Sequence, residues 1–209
     1  MSAEQDNVAL ATTVTGTHLL EELRDPANQI AWQQFVGRYR PLLLSYARGS
    51  FGLRADEAED AAQIALAAFC EAYADGQYDP DRGRLRKWMF GIATNRFKQF
   101  VRGKAGNREV QIADASDATA FLAGIPDDGR LEERWEAEWR RAILRQCMEE
   151  IRFQFDARTV EAFELYVSRG WPARRVAAAL ETSENAVYLA RHHILKRIRE
   201  LVPRIEKIW

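Results

Sequence analysis

Two cysteines and three histidines are all that 209 residues contain of these types, and each scarcity closes off a class of protein. Cys70 and Cys147 lie far apart in apolar, helix-patterned stretches, which argues for reduced, packed thiols rather than a disulfide framework. His18, His192 and His193 are too few and too scattered for a catalytic or metal-binding constellation. The adjacent pair diverges by about 100° on a helix and makes a poor chelate. With no glycine-rich phosphate loop and no nucleophile beside a base, the sequence predicts no catalytic residues, no metal site, no cofactor and no enzyme activity. No run approaches the roughly 18 apolar residues of a membrane span, and the amino terminus lacks a basic start followed by an apolar stretch. The expectation is a cytoplasmic chain without membrane insertion.

What is present is a foldable mixture, 47% hydrophobic, 11% aromatic and 29% charged, too rich in aromatics for wholesale disorder. Thirty Lys and Arg against 31 Asp and Glu give a net charge of −1, a mean that conceals strong segregation. Nine basic residues and no acid fall between Arg82 and Arg108. Between Glu109 and Arg140 the balance inverts to nine acids against three bases, and from Ala55 to Asp75 there is neither Lys nor Arg.

Periodicity predicts an all-α fold of two small helical domains joined by a flexible acidic linker, the second domain a helix-turn-helix. The expected boundaries are a disordered tail at 1–16, an amino-terminal domain at 17–104, a linker at 105–130 and a carboxy-terminal domain at 131–209. A short helix around Leu19, Leu20 and Leu23 should end at Asp25-Pro26. The next carries Ile30, Ala31, Phe35, Val36, Tyr39, Leu42, Leu43 and Tyr46, with Pro41 expected to bend or restart it and Gly49-Ser50-Phe51-Gly52 to break it. Asp56 should cap a third helix bearing Ala61, Ile64, Ala65, Ala68, Phe69 and Ala72. A turn-rich loop over Asp75–Gly83 leads to a helix from Leu85, with Trp88, Met89, Ile92, Ala93, Phe97, Phe100 and Val101 on one broad face. Beyond the linker, a long helix from Leu131 to Phe155 carries the stripe Trp135, Trp139, Ile143, Cys147, Met148 and Ile151. Three shorter segments follow, at Ala157–Ser168, at Ala173–Leu180 and from Ser183 onward.

Three constellations point to function. The stretch RGWPARRVAAALETSENAVYLARHHILKRIREL reads as a short helix, a three- to four-residue turn and a longer basic helix, with Ala177, Ala178 and Ala179 small enough for a close crossing. In a helix-turn-helix the second helix enters a major groove. Glu184, Asn185 and Tyr188, at its amino end, are the candidates for base edges; Arg191, His192, Lys196 and Arg197 are those for phosphates. Arg174, Arg175 and Ser183 complete this set. In the second constellation, the basic run from Arg82 to Arg108 interleaves aromatics with cations, the pattern that holds single-stranded DNA, although Phe97 sits on the apolar stripe and is expected in the core. The third is the acidic helix start Asp56-Glu57-Ala58-Glu59-Asp60, which suits a helix dipole and, beyond that, a basic docking partner.

In order and spacing, ADEAEDAAQIALAAFCEAYA, GRLRKWMFGIATNRFKQFVRGK and the carboxy-terminal helix-turn-helix resemble the extracytoplasmic-function (ECF) group of sigma-70 family initiation factors of bacterial RNA polymerase. The Asp60-x-x-Gln63 pairing and the string Trp88-Met89-Phe90-x-Ile92-Ala93-x-Asn95 carry the likeness best. The resemblance implies that Asp56, Glu59, Asp60 and Gln63 bind core polymerase at the β′ clamp helices. It implies that Tyr78, Arg82, Arg84, Lys87, Trp88, Asn95, Arg96, Lys98 and Arg102 contact and help melt the promoter −10 element. The Gly76–Arg84 loop would pocket a flipped base. The carboxy-terminal domain would read the −35 element and touch the β flap, the acidic linker would run towards the RNA exit path, and an anti-sigma factor would be a further partner. Gly91, which interrupts the aromatic helix, and the tail LVPRIEKIW with Trp209 depart from the pattern. Two alternatives stay open on sequence: a dimeric helix-turn-helix regulator using Trp135 and Trp139 as its dimer surface, and a non-catalytic helical adaptor.

Overall fold

The computed structural model describes residues 16–25, 27–111 and 127–207, with backbone alone at 16–18 and 105–111. Nearly all of the expected tail, the middle of the expected linker at 112–126, and Trp209 lie outside the described residues. The described residues form helices and no strand, the expected all-α class. Residues up to Arg140 make one compact unit and those from Arg141 a second.

In unit one, α1 (Gly16–Glu22) buries Leu19, with Leu23 buried just beyond its end. Helix α2 (Gln29–Phe51) starts at Asn28, whose side chain accepts from the Ala31 N–H at 3.1 Å, a standard use of Asn at a helix start. Ala31, Phe35, Tyr39, Leu42, Leu43 and Tyr46 form its buried stripe, whereas Ile30, expected on it, is 70% exposed. The helix passes through Pro41 without restarting. Pro41 and Gly37 are both exposed, so the carbonyl that loses its helical donor faces water. The expected break moves to Gly52, at φ +64, because burial of Ser50 and Phe51 anchors the last turn before a left-handed residue ends it.

Helix α3 (Ala55–Ala74) begins at Arg54 rather than at Asp56. Glu57, three residues on, accepts the Arg54 N–H at 3.0 Å, satisfying one of the orphan donors of a helix start. Ala58, Ala61, Ala62 and Ala65 line its buried face and let it approach α2 closely, with Phe35 and Phe69 stacked at 4.4 Å. Ile64, expected inside, is 44% exposed. Helix α4 (Leu85–Gln111) continues straight through Gly91 and buries Met89, Ala93, Phe97 and Val101.

Helix α5 (Asp128–Gln154) is divided between the units. The second domain was expected to open at 131, yet the segment through Arg140 groups with unit one. Trp135 explains this: it is 1% exposed, with Tyr46 at 5.1 Å and Phe90 at 5.9 Å. Burying a large aromatic side chain among other rings stabilises by roughly 2 kcal/mol or more relative to leaving it exposed on a tether.

Unit two comprises the rest of α5, α6 (Ala157–Phe163), a π-wound turn (Glu164–Ser168), α7 (Ala173–Ala179) and α8 (Glu184–Glu206). One helix over 157–168 was expected; its last five residues widen to π geometry. Leu165, Val176, Val187 and Ala190 make the core, flanked by Tyr166, Trp171 and Leu180. Of the three alanines expected at the crossing, Ala177 is buried, while Ala178 and Ala179 face outward.

Candidate functional site

Three surfaces carry the candidate residues. On the outer side of α3, Asp60 and Gln63 are exposed and take no partner among the described residues. Asp56 pairs with Arg54 at 2.9 Å. Glu59 is held by Arg40 through two bonds of 2.8 and 2.6 Å, the fork-on-carboxylate geometry that arginine favours. The four expected docking residues thus divide into two open and two neutralised, because α2 brings Arg40 alongside Glu59 and the cap residue Arg54 lies beside Asp56. Glu57 points the other way. Its carboxylate accepts from Lys104 and pairs with Arg54 at 3.2 Å. The Lys104 hydrogen bond holds Glu57 below the ordinary carboxyl value, against a smaller opposing effect of burial and with help from the Arg54 N–H.

The second surface is the start of α4 and the loop before it. Arg82, Arg84, Lys87, Asn95 and Arg102 are exposed and form no ion pair among the described residues, so this positive face is open. The other candidates are engaged. Trp88 is half-buried against Phe69 at 5.0 Å and Tyr78 at 5.1 Å, so it and Tyr78 extend the core aromatics outward rather than standing free. Phe97 is fully buried, as expected. Arg96 donates to Gln99 at 3.2 Å, and Lys98 is paired with Asp128 of α5.

The same edge holds residues that the sequence did not single out. Arg86 pairs with Glu136 at 3.1 Å and lies over the Trp139 ring at 5.8 Å, a cation–π distance. Arg84, Arg86, Lys87, Phe90, Glu132, Trp135 and Glu136 line a cleft of about 170 Å³. The acidic start of α5 therefore touches the cationic run of α4, a pairing between distant segments that no local spacing encodes. Trp135 and Trp139, at 1% and 3% exposure, are consumed inside the chain and offer no dimer surface.

The third surface is α8. Ser183 caps it, accepting from the Ala186 N–H at 3.1 Å. Asn185, Tyr188, His192 and Lys196 recur every three or four residues and share one exposed side, with Glu184 and Arg191 exposed beside them. Tyr188 packs edge-on against Tyr166 at 5.7 Å. Arg175 lies 3.8 Å over the Trp171 ring, while Arg174 is exposed. Arg197, expected on phosphate, instead donates to Gln154 at 2.6 Å and Glu200 at 3.0 Å.

Residues 35–106 match the family model described as Sigma-70 region 2, about a third of the 209 residues. The match runs from Phe35 in α2 through all of α3 into α4, so it contains the acidic start of α3 and all but the last basic residue of the cationic run, and it supports the sigma-70 family. Unit two lies outside it. No curated protein and no solved structure matches the chain.

Proposed function

We propose that this chain is a sigma factor of the extracytoplasmic-function type, which binds core RNA polymerase, directs it to a two-element promoter and acts by binding rather than catalysis. One coincidence carries the reading: the region 2 match spans α3, which presents open carboxylate and amide groups at Asp60 and Gln63, and the loop and helix after it, which present open cations at Arg82, Arg84, Lys87 and Arg102. In this assignment Asp60 and Gln63 dock on the β′ clamp helices, with Asp56 and Glu59 flanking them. The α4 cations neutralise phosphates of the −10 element while Tyr78 and Trp88 offer ring edges to an unpaired base. Asn95 and Arg96 lie further along the same helix. Unit two reads the −35 element with Glu184, Asn185 and Tyr188, while Arg174, Arg191, His192 and Lys196 serve phosphates. An anti-sigma protein and the β flap remain partners proposed from the family alone.

Run-off transcription with purified core polymerase tests this directly. Adding the chain should start transcripts at a discrete set of promoters from the source genome, and a complete lack of activated starts defeats the reading. Asp60→Arg should abolish polymerase capture while leaving the far-ultraviolet helical signal unchanged, because the wild-type side chain has no internal partner to lose.

A further inference from the structure

Unit two holds one conformation that its sequence does not favour. Glu181, in the turn between α7 and α8, sits at φ +47, the single non-glycine residue with positive φ among the described residues. The turn closes α7 in the manner of a Schellman motif. The Thr182 N–H reaches back to the Ala177 carbonyl at 2.9 Å, and the Leu180 N–H bonds the Val176 carbonyl at 2.9 Å. Glycine usually fills the left-handed position of this motif, because a Cβ there crowds the neighbouring carbonyl. Something must hold it.

Arg158, near the start of α6, supplies the hold. Its Nε donates to the Leu180 carbonyl at 2.8 Å, and its Nη2 donates to the same carbonyl and to the Glu181 carbonyl at 3.0 Å. One planar guanidinium thereby fastens two consecutive carbonyls that the end of α7 leaves without helical donors. Directly after this turn Ser183 caps α8, and Glu184, Asn185 and Tyr188 follow within one and a half turns. The φ and ψ of residues 180–183 therefore set the direction in which the amino end of α8 leaves α7.

We infer that Arg158 is a positioning residue for DNA reading: by clamping the strained Leu180-Glu181 turn it aims the amino end of α8, without itself contacting DNA. This rests on the reading of unit two as a −35 binder. The clamp is specific to arginine, since a lysine ammonium is a point donor and cannot span both carbonyls in one plane.

The test uses the full chain. Duplexes that the wild type selects from a random pool are compared with scrambled duplexes across a salt series, alongside thermal unfolding. Arg158→Ala and Arg158→Lys should each lower the selected-to-scrambled affinity ratio by about tenfold, the value of one well-aligned base contact, with the salt slope unchanged. Glu181→Gly placed in the Arg158→Ala chain should recover part of that ratio, because glycine adopts the left-handed turn unaided. A wild type that selects no duplex overturns the −35 reading and the inference with it. A selective wild type whose Arg158→Ala variant discriminates equally well overturns the inference alone. So does a salt slope reduced by about one, which would make Arg158 a phosphate contact. A lowered unfolding midpoint with undiminished discrimination reduces Arg158 to a purely structural role.

Discussion

At the scale of single residues, the most informative side chain is one that faces inward from an acidic patch. Glu57 is held below its ordinary value of 4.5, so its ionised form is stabilised in the folded state. Its contribution is complete above 4.5 and is lost as pH falls through the lower folded value. Stability measured by chemical denaturation should therefore fall with acidification in that window, and Glu57→Gln should flatten this component of the profile. An unchanged profile in the variant would remove the Lys104 pairing from the account. From sequence, Glu57 was indistinguishable from Asp56, Glu59 and Asp60, since all four sit in one acidic helix start. What separates them is the neighbour each meets, and Arg40, Arg54 and Lys104 arrive from other positions in the chain. The cysteines were legible by contrast: both sit in apolar stretches, and burial pushes both thiols up to about 11, leaving them protonated near neutral pH.

At the scale of elements, periodicity located each helix among the described residues but misjudged what interrupts one. Pro41 and Gly91 both stand inside continuous helices, because the packed stripes on either side outweigh one missing donor or one missing side chain. A Cβ built on Gly91 meets nothing within 4 Å, and its φ is not in the left-handed region. Gly91→Ala should therefore raise the stability of unit one by about 0.5–1 kcal/mol in urea titration; destabilisation would mean that α4 needs the glycine. Between elements, the buried Tyr46 hydroxyl lies 3.1 Å from the Thr94 hydroxyl and donates to the Leu131 carbonyl at 3.4 Å, joining α2, α4 and α5. Tyr46→Phe should cost about 1–3 kcal/mol, the price of buried polar groups losing a partner. No pattern in the sequence links positions 46, 94 and 131.

For the molecule as a whole, the segregation of charge becomes an internal contact. The acidic stretch that follows the cationic run contributes Asp128, from the expected linker, and Glu136, from the expected second domain, to ion pairs with Lys98 and Arg86, on the helix that also presents Lys87 and Arg102. Asp128→Asn with Glu136→Gln should free two cations for phosphate. Binding of the full chain to an oligonucleotide with an unpaired segment should tighten by up to about tenfold at low salt, with the gain shrinking as salt rises. Equal affinity at every salt concentration would show that these pairs do not compete with nucleic acid.

The sequence by itself determined the helical class, the run of cations, the acid-fronted helix and the helix-turn-helix rhythm, because each is written in residues a few positions apart, where helical geometry alone decides which side chains share a face. Tertiary structure alone decided which charges stay open, where unit one ends and how Glu181 is held. Those outcomes depend on which distant groups are brought within hydrogen-bonding reach: the burial of Trp135 decides it along the edge of α4 in unit one, and the packing of α6 against α8 decides it for Glu181 in unit two.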